Sequence, residues 1–207
     1  MVASTRGAND APQSEGAHEL ALANRLLTEG EQTTDPKAQR ASYEAAKVHA
    51  TRAVELLPNS ADAHFVHFAV VGRLAQLDGL ASAAMQLMTV NSELDEVLRL
   101  NPNHANALAA RGGMLMKLPR LLGGDTNKGV EYLERAVSLD DTAVGKRLEL
   151  AEAYQIVKRT DDANRTAEAA LAMAEQMQDK GKIDSCKRFI EELHKTCSGC
   201  AMASIGR

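Results

Sequence analysis

The chain has 207 residues, and its 24 basic and 28 acidic residues give a net charge of −4. Charges of both signs alternate along it, which argues against a nucleic-acid-binding surface, and no apolar stretch is long enough to cross a bilayer. Aromatic residues make up 3% and there is no Trp, so the core has to be built from Ala, Leu, Val and Met. The length suits one domain or a short array of repeats.

The first fifteen residues are polar and small. They lack the apolar stretch of a secretory signal, so the sequence predicts a disordered tail over residues 1–15 and a cytoplasmic protein. If a leader has been removed from the chain, the expected compartment is the periplasm instead.

Helical periodicity and helix stops fill the rest of the chain. The predicted domain covers residues 16–196 and is followed by a flexible tail over residues 197–207. Its predicted helices are 16–30, 37–57, 61–77, 80–100, 104–117, 126–139, 143–158, 161–178 and 182–196.

Three stretches of the chain resemble one another: Ala53–Ala63, Val97–Ala107 and Ala136–Ala143. Each contains a helix end, a stop and the start of a new helix. Two of the stops contain a proline, Pro58 and Pro102, which has no N–H and disfavours helix in the residue before it. The stretches therefore predict helical hairpins repeated along the chain.

Polar residues follow each stop and are predicted to cap the next helix; they are Asn59, Asn103 and Thr142. The two prolines lie 44 residues apart and the third stop follows 39 residues later. Both distances exceed about 34 residues, the length of a plain repeat made of two helices and a turn. Extra residues are thus expected inside the second and third hairpins.

Small residues recur at fixed distances from these stops. The positions concerned are Ala46, Ala53, Phe68, Val90, Val97, Gly112, Gly129, Ala136, Ala151, Ala163 and Ala170, of which only Phe68, Val90 and Val97 are large. The pattern resembles the tetratricopeptide repeat family, which places Gly or Ala where helices cross most closely. The resemblance implies an all-α fold: a right-handed superhelix, or α-solenoid, of about four helical hairpins with a C-terminal closing helix.

The segment from Leu118 to Asp125 contains Pro119 and a Gly-Gly-Asp turn, so it predicts an enlarged loop between two helices. With Lys128 and Leu133–Ala136, this segment also resembles the T component of tripartite periplasmic transporters. That likeness implies an accessory role in solute uptake.

The repeat resemblance implies a concave groove lined by the first helix of each hairpin, which binds a peptide or an amphipathic helix. The lining residues expected are Asp62, Phe65, Ala69, Gly72, Arg73, Asn106, Ala109, Gly113, Met116, Lys117, Gly145, Leu148, Glu152, Gln155 and Ile156. The basic residues that clamp chaperone C-termini in this family are absent. An apolar ligand, or the chain's own N-terminal tail, fits this lining better. The alternative is that Met and Leu at helical spacing pack only between helices.

Histidines and cysteines offer candidate metal or redox sites. His64 and His67 lie three apart on one helix with His49 on the preceding helix, an arrangement that suits a metal ion or simply half-buried histidines. Near the C-terminus, Cys197 and Cys200 form a Cys-x-x-Cys pair, with Cys186 and His194 upstream. A disulfide between Cys197 and Cys200, a zinc site and an inert tail all remain open.

No catalytic motif is found, such as a phosphate-binding loop or a nucleophile in a recognisable setting. The sequence therefore predicts a protein that is not an enzyme, has no cofactor and binds no nucleic acid. Three functions stay open: a protein-interaction scaffold with a protein or peptide partner, an accessory subunit of a solute-uptake system, and a structural protein that forms a homo-oligomer.

Overall fold

The computed structural model describes residues 7–203, apart from the side chains of residues 7–11, 80, 83 and 196–203. Within that range the chain forms nine α-helices and a 3₁₀ helix, Arg120–Leu122, and contains no strand. The α-helices are α1 (Gly7–Gln32), α2 (Pro36–Leu56), α3 (Ala61–Asp78), α4 (Leu80–Leu100), α5 (Ala105–Lys117), α6 (Thr126–Leu139), α7 (Val144–Ile156), α8 (Thr160–Gln176) and α9 (Lys180–Ala203).

Consecutive helices pair as hairpins. α1 packs on α2, α3 on α4, α5 on α6, and α7 on α8, while α9 packs on α8. The prediction of an all-α chain with four hairpins and a closing helix is confirmed.

The bounds of α2 to α8 differ from the predicted bounds by at most two residues. The terminal helices are longer than predicted, because α1 begins at Gly7 instead of residue 16 and α9 ends at Ala203 instead of residue 196. The division into tails over residues 1–15 and 197–207 and a repeat domain over residues 16–196 stays a prediction.

The chain consists of two compact units. The N-terminal unit extends to His104 and contains the hairpins α1/α2 and α3/α4. The C-terminal unit begins at Ala105 and contains the hairpins α5/α6 and α7/α8 together with α9.

The helix starts correct the predicted caps. α3 is capped by Ser60, not Asn59, because the Ser60 hydroxyl accepts a hydrogen bond from the backbone N–H of Ala63 at 3.2 Å. The N-cap of α7 is Ala143, and the Thr142 hydroxyl donates to Asp140 instead. A shift of one residue decides which side chain can reach the exposed N–H groups of a first turn.

Small side chains lie where the helices meet, as predicted. Each is fully buried: Ala46, Ala53, Ala136, Ala151, Ala163 and Ala170 all have 0% exposure. The α5/α6 crossing is closer still. A β-carbon added at Gly112 would lie 2.9 Å from the carbonyl oxygen of Gly129, and one at Gly129 would lie 3.1 Å from that of Gly112. Neither position has room for a side chain.

The α3/α4 hairpin departs from this pattern, as its sequence predicts. Val97 is fully buried, whereas Phe68 and Val90 are half-buried. The ring of Phe68 lies 5.7 Å from the ring of Phe65, one turn earlier on α3. This hairpin is therefore packed by larger side chains than its neighbours.

The enlarged loop between α5 and α6 is confirmed. It is held in place at its end, because the backbone N–H of Asp125 donates to the carbonyl oxygen of Leu115 at 3.0 Å. The Asp125 carboxylate then caps α6 by accepting from the N–H groups of Asn127 and Lys128, each at 3.1 Å.

Among the residues described, no helix is both long enough and apolar enough to cross a membrane.

Gly112 and Gly113 are adjacent in α5 but face different surroundings. A β-carbon at Gly112 would lie 2.7 Å from Cγ of Leu133, whereas one at Gly113 would meet no atom within 4 Å. We expect Gly112→Ala to lower the free energy of unfolding by about 1–3 kcal/mol through overpacking. Gly113→Ala is expected to raise it by about 0.4–1 kcal/mol, because the unfolded chain loses freedom and the helix loses nothing.

Urea unfolding followed by circular dichroism measures both changes, with each variant serving as the control for the other. Shifts of the same sign for both variants would contradict this account of the α5/α6 crossing.

Candidate protein-binding surface

The predicted groove residues lie on the first helices of the hairpins, and neighbouring first helices contact one another inside each unit. In the N-terminal unit α1 contacts α3. In the C-terminal unit α7 contacts both α5 and α9. The exposed faces of α1 and α3 in the N-terminal unit, and of α5 and α7 in the C-terminal unit, are each called a first-helix surface below.

In the N-terminal unit, three of the predicted lining residues already have partners. The ring of Phe65 is half-buried and lies 4.7 Å from the ring of His104. His104 is also within 3.2 Å of the exposed carboxylate of Asp62. The guanidinium of Arg73 donates to Glu31 on α1 at 2.6 Å. Ala69 is half-buried on the same helix.

In the C-terminal unit, the predicted lining residues differ in exposure. Those whose side chains are exposed are Asn106, Lys117, Glu152 and Ile156, and Gln155 is half-buried. Ala109 is 6% exposed.

Two apolar residues of the expected groove take part in packing. Met116 lies against α6, since its side chain occupies the space next to Gly129. Leu148 packs on a core cluster that includes Val144 and Cys186. Of the four apolar residues expected to line the groove, Ile156 alone is as much as 50% exposed, while Phe65, Met116 and Leu148 are half-buried. The first-helix surface is thus more polar than its sequence suggested.

Three glycines on first helices face open space. A β-carbon at Gly72 on α3, at Gly113 on α5 or at Gly145 on α7 would meet no atom within 4 Å. Gly72 and Gly113 lie in helix interiors, where glycine is less favourable than alanine by about 0.5–1 kcal/mol. Packing does not require glycine at these positions, in contrast to Gly112 and Gly129.

The histidine pair on α3 binds a carboxylate of α4. Nδ1 of His64 lies 2.7 Å from one carboxylate oxygen of Glu93, and Nδ1 of His67 lies 2.9 Å from the other. All three side chains are at most 17% exposed. Burial raises the pKa of the Glu93 carboxyl, but the hydrogen bonds and charges of His67 and His64 outweigh it and hold that pKa below its usual value.

The third histidine considered for a metal site, His49, is bound to Glu19 of α1, with 2.6 Å between Nδ1 of His49 and the carboxylate oxygen. Within the described part of the chain, no group of three or more His, Cys, Asp or Glu side chains is arranged to hold a metal ion. Glu93 was not predicted from the sequence, since its role depends on which turn of α4 faces the two histidines.

Cys186 on α9 is fully buried, and burial raises the pKa of its thiol. It packs with Ala170 and Ala174 of α8. The side chains of Cys197 and Cys200 lie outside the described residues, so the disulfide between them stays a prediction.

A polar cluster joins α6, α7 and the start of α8. The hydroxyl of Tyr154 donates to the carboxylate of Glu134 at 2.8 Å, and Arg159 donates to the same carboxylate at 3.1 Å. The Arg159 guanidinium lies 4.3 Å from the centre of the Tyr154 ring. Burial, followed by the hydrogen bond and charge of Glu134, raises the pKa of Tyr154 to about 12. This cluster joins α6 to α7 and to the start of α8.

Comparison with known proteins gives one family. The family described as regulator of microtubule dynamics protein 1-3 matches residues 6–114, just over half of the chain. No curated protein matches the sequence.

Solved structures give the fold. TTC0263, a thermophilic TPR protein of Thermus thermophilus, is 22% identical, with a TM-score of 0.59 over 88% of this chain and 99% of that chain. MamA of Desulfovibrio magneticus RS-1 is 15% identical, with a TM-score of 0.52 over 88% of this chain and 96% of that chain. The resemblance to the tetratricopeptide repeat fold is confirmed.

The Glu93 cluster predicts a pH-dependent contribution to stability. Replacing Glu93 with Gln is expected to lower the free energy of unfolding at pH 7 by about 1–3 kcal/mol, because a half-buried charged acceptor of two hydrogen bonds is lost. The lowered pKa means that this contribution is fully present above the usual carboxyl value of about 4.3 and is lost as pH falls through the folded-state pKa.

Urea unfolding at a series of pH values from 7 to 3 tests this expectation. The difference between the two chains should close at the acid end. Glu96→Gln on the same helix is the control, since the exposed pair of Glu96 with Arg99 contributes far less. A difference that is independent of pH would rule out the linkage.

Proposed function

Because the chain belongs to the family described as regulator of microtubule dynamics protein 1-3, we propose that it is a non-enzymatic protein-interaction module of the microtubule system. Its tetratricopeptide-type hairpins bind a peptide or an amphipathic helix of the partner on the first-helix surface. The partner is a microtubule or a protein that acts on one.

The observation that carries this proposal is the set of open glycines on the first helices. Gly72 and Gly113 weaken their helices without relieving any contact inside the chain. A glycine without a packing role is useful where another chain approaches the helix backbone closely. Gly145 extends the same property to the first turn of α7.

Exposed side chains on the helices of Gly113 and Gly145, α5 and α7, define the chemistry of the ligand. Lys117 and Glu152 supply one charge of each sign, and Ile156 supplies an exposed apolar contact. A peptide or helix with mixed polarity fits this surface better than a purely apolar one, because Met116 and Leu148 are engaged in packing.

The two other functions considered from the sequence have less support. The solute-uptake role rests on the short likeness of residues 118–136 to the T component, and homo-oligomer formation rests on no described contact. Both stay predictions, as do the cytoplasmic location and the absence of catalysis.

Co-sedimentation tests the proposal. The purified chain is mixed with microtubules, either polymerised from purified tubulin or carrying their associated proteins, and is expected to pellet with at least one preparation. Gly113→Leu fills the open space on α5, and we expect about a tenfold or greater loss of binding, equivalent to roughly 1.4 kcal/mol.

The matched control is Ala169→Leu, which adds similar bulk at an exposed position of α8, a second helix of the same unit. Circular dichroism must show that both variants are folded. A chain that pellets with neither preparation would disprove the microtubule partner. Equal binding of Gly113→Leu and the control would move the binding surface away from α5.

A further inference from the structure

The loop between α5 and α6 exposes two leucines. Leu121 is 99% exposed and Leu122 is 58% exposed, and no other large apolar side chain of the described residues is as exposed as Leu121. Both belong to the 3₁₀ helix Arg120–Leu122. The segment Leu118–Asp125 is called the leucine loop below.

The leucine loop has a defined conformation. The backbone N–H groups of Leu122 and Gly124 both donate to the carbonyl oxygen of Pro119, at 2.8 and 3.1 Å. The N–H of Gly123 donates to Arg120 at 3.1 Å. The Asp125 N–H donates to Leu115, so hydrogen bonds hold both the turn of the loop and its C-terminal end.

Two glycines are required for this shape. Gly123 has φ of +88°, a left-handed conformation that other residues rarely adopt. A β-carbon at Gly124 would overlap the carbonyl oxygen of Leu118. The two glycines therefore allow the loop to adopt a conformation in which Leu121 and Leu122 are exposed to solvent.

The charged residues next to the leucines in sequence are mostly basic. Lys117, Arg120 and Lys128 are exposed and have no ion-pair partner in the described part of the chain. The only acidic residue between positions 117 and 128 is Asp125, whose carboxylate is occupied by the N–H groups at the start of α6. This local excess of positive charge contrasts with the net charge of −4 of the whole chain.

We propose that the leucine loop is a second docking surface, which inserts Leu121 and Leu122 into an apolar pocket on an acidic protein surface while Lys117, Arg120 and Lys128 pair with its carboxylates. This inference rests on the proposed microtubule partner and requires that partner to present an acidic surface to the loop. It adds contacts by Arg120, Leu121, Leu122 and Lys128 to those of the first-helix surface, with which it shares Lys117.

The basic residues and the fixed loop conformation contribute to binding in different ways. The basic side chains raise the rate of encounter with an acidic surface and set the dependence of binding on salt. The fixed loop then buries its leucines with little loss of conformational entropy, since its backbone is already ordered. Apolar anchors held in this way commonly supply most of the affinity of an interface.

The test uses the full chain and microtubules polymerised from purified tubulin. The double substitution Leu121→Ser, Leu122→Ser is expected to weaken binding about tenfold or more, because two apolar anchors are lost. Arg120→Glu with Lys128→Glu is expected to weaken it at low salt and to have little effect at about 1 M salt, where the Debye length is about 3 Å. Gly124→Ala leaves both leucines in place but distorts the loop, and should also weaken binding.

Met177→Ser is the control, since Met177 is 51% exposed elsewhere in the same unit. Equal binding by the leucine variant and this control would overturn the inference and leave the proposed function intact. Failure of the unaltered chain to bind would overturn both the direct microtubule partner and the assignment of the loop. Binding to phosphatidylserine vesicles instead of microtubules would assign the loop to a membrane surface and overturn the proposal.

Discussion

The close approach of helices at small residues is the constraint on which the rest of the structure depends. With few aromatic side chains and no Trp, the chain cannot fill wide gaps between helices. It places alanines with no exposed surface at the crossings and lets the backbones of Gly112 and Gly129 nearly touch. Dispersion contacts between the closely packed helices then supply stabilisation that larger side chains would otherwise supply by burying more apolar area.

The exception among the hairpins is informative. α3 and α4 carry Phe68, Val90 and Val97 where small residues are expected, and they are joined by the carboxylate of Glu93 bound to two histidines of α3. Hydrogen bonds to a charged group are stronger and more directional than apolar contacts. The register of this hairpin is thus fixed in part by a polar interaction, of the kind that His49 and Glu19 also make between α2 and α1.

The helix bounds could be predicted well because the residues that end the helices are recognisable from their chemistry. Pro58 and Pro102 cannot continue a helix, and the positions of small residues follow from the stops by counting. Prediction was weaker where the outcome depends on which turn of one helix meets which turn of another. Glu93 was missed for this reason, since nothing near it in sequence identifies the histidines as its partners.

Side-chain exposure was harder to predict than helix position. The sequence placed Met116 and Leu148 in a binding groove, although it also allowed that they pack between helices, and they do pack there. The shape of the leucine loop could be predicted as a turn from its proline and glycines, but not the outward direction of Leu121. That direction depends on hydrogen bonds between residues three to ten positions apart.

The leucine loop also bears on how the chain can change over evolutionary time. Its insertion lies between the two helices of one hairpin, so it does not alter the stacking of one repeat on the next. Gly123 and Gly124 are fixed by geometry, whereas Leu121 and Leu122 touch little of their own chain and can be exchanged at small cost to folding. If the loop docks as proposed, the partner it selects can therefore be changed at two residues without altering the hairpin that presents them.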